Sequence, residues 1–77
     1  MEELRIYLNA LSQEQQRDFA SKCATSIGYL RKAISKNQEL GPALCVLIET
    51  ETNGRVNRRD LHPNDWLQIW PELAKAA

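Results

Sequence analysis

Ile27, Gly28, Arg31 and Lys32 recur at i and i+4 along one short stretch, and Lys36 and Asn37 follow directly behind them. On a helix that spacing gathers the first four along one edge. An arginine such as Arg31 can fork to the O6 and N7 atoms of a guanine. Lys32 can reach a guanine or a phosphate, and Ile27 can touch a thymine methyl. Gly28 has no side chain, so the backbone can come close to a groove wall there. Lys36 and Asn37 fall just past the end of the pattern, where a phosphate would lie. The chemistry on offer is that of a helix lying in the major groove of duplex DNA. The plainer reading of the same residues is a helical hairpin with a basic, solvated face.

Such an edge needs elements to hold it. Residues 16–35 contain two amphipathic patterns in quick succession. Phe19, Ala20 and Cys23 stand at i, i+1 and i+4, and Leu30, Ala33 and Ile34 line one side of the second pattern. The connection, Ala24-Thr25-Ser26, is short, and Thr25 or Ser26 can cap the second helix. Helices joined so closely cross steeply and need a small residue at the crossing, which Ala20 supplies. These are the features of a helix-turn-helix.

The remaining chain reads as support for that unit. Residues 2–10 predict a first helix with Leu4, Tyr7, Leu8 and Leu11 on one face and Glu2 and Glu3 at its positive end. Ser12 and Gln15 form a capping box that starts a second helix running to about Cys23. After a loop at 36–41, Pro42 opens a fourth helix over residues 42–52, closed by Asn53-Gly54. Its run of apolar residues from 43 to 48 has the length of a buried strand as well. The flanking proline and Asn-Gly decide for helix, with Leu44, Leu47 and Ile48 turned inward. Asn57 can cap a short turn stapled by Val56 and Leu61 and ended by Pro63. Asn64 or Asp65 then caps a last short helix carrying Trp66, Ile69 and Trp70, stopped by Pro71. Leu73 adds one more contact before residues 75–77 fray. The predicted fold is all-α, a compact bundle of about five short helices.

At 77 residues, 43% hydrophobic and 26% charged, residues 1–77 read as a single globular domain near the lower size for one core. No apolar run is long enough to span a membrane and the N-terminus is acidic, so a cytoplasmic location is expected. Cys23 and Cys45 sit inside apolar patterns with no partner at metal-ligand spacing, and read as reduced core residues. One histidine, His62, beside Pro63, looks like a turn residue. With no paired nucleophile and base and no phosphate loop, neither an enzyme nor a cofactor or metal site is expected. Net charge is zero, yet Lys22, Arg31, Lys32 and Lys36 occupy residues 22–36 without an acid, and Arg55, Arg58 and Arg59 form a second basic group. A basic face among acidic flanks still attracts a polyanion locally. Trp66, Ile69 and Trp70 admit two readings: they close the open end of the core, or one tryptophan faces a partner.

Phe19, Ala20 and the segment Leu30-Arg31-Lys32-Ala33-Ile34 resemble the helix-turn-helix of phage Cro and repressor proteins. The whole chain is similar to short Cro-type regulators and YdaS-like antitoxins. The likeness extends through Gly28-Tyr29, Leu40-Gly41, Asp60-Leu61-His62-Pro63, Trp66 and Trp70-Pro71-Glu72-Leu73. It covers nearly the full length. One departure is Ala24, where these turns usually carry glycine.

The resemblance implies a prophage repressor that reads an operator with Ile27, Gly28, Arg31 and Lys32. Gln16, Ser26, Tyr29, Lys36 and Asn37 would stand at phosphates. Such proteins act as weak homodimers on palindromic half-sites about 34 Å apart. The segment around Trp66, Ile69 and Trp70 is the candidate contact. Some Cro branches place a β-hairpin after the third helix, but Pro42, Pro63 and Pro71 favour helix throughout. The alternative it implies is an antitoxin that neutralises a toxin partner through the C-terminal segment while regulating its own promoter.

Overall fold

A computed structural model describes residues 1–75. In chain order the elements are α1 (Glu2–Asn9), α2 (Gln13–Lys22), α3 (Ile27–Lys36), α4 (Pro42–Glu51), α5 (Arg58–Leu61) and α6 (Trp66–Ile69). A 3-10 turn follows at Pro71–Lys75, and there is no strand among the described residues. Of residues 75–77, expected to fray, Lys75 still belongs to that turn, and Ala76 and Ala77 lie outside the described residues. The all-helical expectation holds, with one more short helix than the five foreseen.

Local chemistry accounts for the starts of α2 to α5, whereas at α6 Asp65 holds the N-cap position without the side-chain cap bond expected of it. Ser12 accepts from the Gln15 N–H at 3.1 Å while the Gln15 side chain accepts from the Ser12 N–H at 2.9 Å, the reciprocal box that opens α2. Ser26, and not Thr25, caps α3 by accepting from the Tyr29 N–H at 3.1 Å. Asn57 and Asp60 form a second reciprocal box at α5. Pro42 takes the first turn of α4, where its missing N–H leaves nothing unpaired.

The ends of α2, α3 and α4 share one device. After α2, the N–H of Thr25 returns to the Ala20 carbonyl and that of Ala24 to Ser21, both at 3.0 Å. After α3, Gln38 returns to Ala33 at 2.8 Å, and after α4, Gly54 returns to Glu49 at 2.9 Å. Each is a Schellman closure, whose hinge residue must take positive φ. The three hinges are Ala24 (φ 60°), Asn37 (φ 52°) and Asn53 (φ 54°). Asparagine tolerates that region; alanine does not.

The core is built from Leu4 and Leu8 of α1, Phe19, Ala20 and Cys23 of α2 and its cap, Leu30 and Ala33 of α3, and Leu40 ahead of α4. Cys45, Ile48, Val56, Leu61 and Trp70 complete it. Burying Leu30 fully makes its truncation to alanine worth about 2–5 kcal/mol. In α4, Ile48 and Cys45 are buried as expected, and Leu44 and Leu47 are half-buried and packed against the core. Thr52 is a buried polar residue that donates to the Ile48 carbonyl at 2.8 Å and accepts from the Val56 N–H at 3.1 Å, fixing the turn into α5.

Candidate nucleic-acid interface

α2 and α3 pack on each other across the turn at Ala24, and α3 also packs on α1. Leu30 and Ala33 anchor α3 inward. That fixes its opposite edge, where Gly28, Tyr29, Lys32, Ser35, Lys36 and Asn37 are all exposed. Nothing stands within 4 Å of the place a Gly28 side chain would occupy, so its bare backbone is presented to solvent. Ser26 is exposed at the N-terminus of α3, with its hydroxyl engaged in the cap. Ile27 is half-buried and rests on the core, so part of its surface is withheld from any ligand.

Arg31 does not stretch freely outward. Its Nη1 donates to Asn9 Oδ1 at 2.9 Å and its Nη2 to Gln16 Oε1 at 3.0 Å. Gln16 is itself oriented, donating through Nε2 to the Leu11 carbonyl at 3.1 Å. Two of the five guanidinium N–H groups are thus used, both on neutral acceptors. The Gln16 amide, expected at a phosphate, is committed at both ends to partners within the chain. The Arg31 side chain lies over the junction of α1 and α2 and is half-buried there, not enclosed in the core.

Electrostatics separate two groups of cations. Among the described residues Lys32 and Lys36 have no carboxylate partner, while Lys22 pairs with Asp18 at 3.3 Å. The group at 55–59 is largely consumed by the fold. Arg58 bridges Glu49 at 3.2 Å and Glu72 at 3.7 Å and lies over the Trp70 ring. Arg59 lies 4.4 Å over the Trp66 ring and donates to the Leu73 carbonyl. Arg17 and Arg55 are exposed and also lack a carboxylate partner among the described residues; α3 is where two such cations, Lys32 and Lys36, stand one turn apart on one helix.

The C-terminal aromatics divide. Trp70 is 7% exposed and packs edge-on against His62, so it closes the core and is not a surface for a partner. Trp66 and Ile69 are half-buried, and beside them Leu67 is exposed.

His62 is a core residue whose role was missed. It is buried, with Nε2 2.6 Å from the Leu40 carbonyl and Nδ1 2.9 Å from Asp65 and 3.5 Å from Glu39. Because a carbonyl can only accept, Nε2 carries a proton, and the two carboxylates favour a second one on Nδ1. Burial alone would lower its pKa; the Leu40 carbonyl, Asp65 and Glu39 together outweigh that and hold it above 6.5. The available signal was Asp65 three residues beyond His62. Both cysteines are buried and free, as expected. Burial chiefly pushes Cys23 to about 11 and Cys45 to about 12, so neither supplies a thiolate nucleophile.

No protein-family model matches the chain. A curated relative, a prophage transcriptional regulatory protein of Escherichia coli (strain K12), is 30% identical over 61 residues. The match spans 79% of this chain and 92% of that protein. The chain belongs to this family of prophage transcriptional regulators. As a prophage regulator it presents an all-helical fold with a helix-turn-helix, and no helix among its described residues is long and apolar enough to cross a membrane.

Proposed function

We propose that residues 1–77 act as one sequence-specific DNA-binding domain, a Cro-like repressor that lays α3 in the major groove. The observation that carries the reading is the exposed edge of α3. Gly28 leaves the backbone bare, Lys32 and Lys36 have no acid partner among the described residues, and Arg31 is held beside them on uncharged amides. A helix with its side chains is about 10–12 Å across, and the major groove, about 12 Å wide, admits it. Arg31 and Lys32 address bases with Gly28 at the closest approach, and Ile27 contributes its uncovered part. Lys36, Asn37, Tyr29 and the Ser26 end of the helix address phosphates; Gln16 acts through Arg31.

Two copies on a near-palindromic operator, with half-sites about 34 Å apart, follow from the reading of one groove per chain. Trp66, Ile69 and the exposed Leu67 are the surface for that weak homodimer. The same three residues would serve the second reading, an antitoxin that grips a toxin partner while regulating its own promoter.

The test is a gel shift on the intergenic DNA upstream of the gene. Arg31→Ala is expected to cost about 1–3 kcal/mol on the preferred site and relax base preference. Lys36→Ala should weaken all duplexes alike and reduce the salt slope by about one. Unchanged operator affinity in Arg31→Ala would refute the base-reading role. Capture of a co-encoded protein that depends on Trp66 and Leu67, but not on Arg31, would establish the antitoxin reading.

A further inference from the structure

Arg31 is bonded to Asn9, a residue of α1 that lies outside the helix-turn-helix and 22 positions away in sequence. We infer that Asn9 is a specificity-determining positioning residue: with Gln16 it holds the Arg31 guanidinium in a reading pose before any DNA arrives. The inference rests on the proposed role of Arg31 in base recognition.

Three observations carry it. The fork is built in two layers, because Leu11 fixes the Gln16 amide, and Gln16 and Asn9 then take the two terminal nitrogens of Arg31. A guanidinium so gripped keeps one N–H on each terminal nitrogen, plus Nε, for a base. Both acceptors are neutral. A carboxylate in either place would bind the arginine more strongly but cancel the charge that DNA needs; an amide orients it and leaves that charge intact. Asn9 is exposed and ends α1, so it has no packing role that would otherwise explain it.

Ordering a long side chain in advance removes part of the cost of binding, so losing the fork should weaken the guanine preference by roughly 2- to 10-fold. The other bases are read by other groups and should be unaffected.

The test selects duplexes from a pool randomised over about two turns of DNA, using the full chain, Asn9→Ala, Asn9→Asp and Arg31→Ala. Arg31→Ala identifies the positions that depend on its guanidinium. Asn9→Ala is expected to weaken preference at those positions and no others, while its melting temperature stays close to that of the parent. Asn9→Asp keeps an acceptor but adds a negative charge, and should lower affinity for every duplex. NMR relaxation of the Arg31 Nε–H in the free protein gives a readout independent of DNA: ordered in the parent and mobile in Asn9→Ala. Full preference in Asn9→Ala at the positions that Arg31→Ala erases, or an equally mobile Arg31 in both proteins, overturns the positioning role alone. If Arg31→Ala erases no preference, base reading by Arg31 and the role of Asn9 fall together.

Discussion

Replacing Ala24 by glycine should make this protein more stable, against the usual cost of glycine. Ala24 is the hinge of the Schellman closure between α2 and α3 and has φ 60°. An L-residue in that region costs about 1–2 kcal/mol. Glycine removes the penalty but frees the unfolded chain, which takes back roughly 0.4–1 kcal/mol. Ala24 is exposed, so deleting its methyl loses little packing. The net expectation is a gain of about 0.5–1 kcal/mol, or a melting temperature higher by roughly 2–8 °C for a domain of this size. Urea unfolding followed by circular dichroism measures it, with the midpoint rising and the slope unchanged. Asn53→Gly is the control: it has the same backbone angle at the end of α4, but asparagine tolerates it, so the gain should be much smaller. Equal gains at both hinges, or a loss at Ala24, would show that the turn is not strained as described.

Other outcomes follow from the same geometry. The folded protein raises the pKa of His62 above 6.5, so the stabilisation it gives is complete below that value and is lost as pH rises through the folded pKa. The melting-temperature advantage of the parent over His62→Gln should therefore shrink above pH of about 6.5; an advantage that grows with pH would contradict the charged His62–Asp65 contact. Cys23 and Cys45, buried with their thiols held near 11 and 12, should resist alkylation at neutral pH until urea unfolds the chain. Rapid labelling of the native protein would contradict their burial.

What could be read from the residues was local. Ser12 with Gln15, Asn57 as a cap, and Pro42 each act within one helical turn, and each does what its position predicts. The hidden features join distant residues. Nothing near Arg31 in sequence announces Asn9, 22 residues before it, and nothing near His62 announces the Leu40 carbonyl. Arg58 and Arg59 looked like a second basic patch because composition cannot tell a solvated cation from one spent on Glu49, Glu72 and two indole rings. Trp66 and Trp70 looked alike until the fold put Trp70 inside.

The most direct test of the central claim is a titration of the isotope-labelled protein with the upstream intergenic duplex, following backbone amide shifts by NMR. The largest changes are expected on residues 26–37, with lesser ones at the start of α2 and at Asn9. Changes centred on α6 and the segment behind it, with α3 untouched, would contradict it.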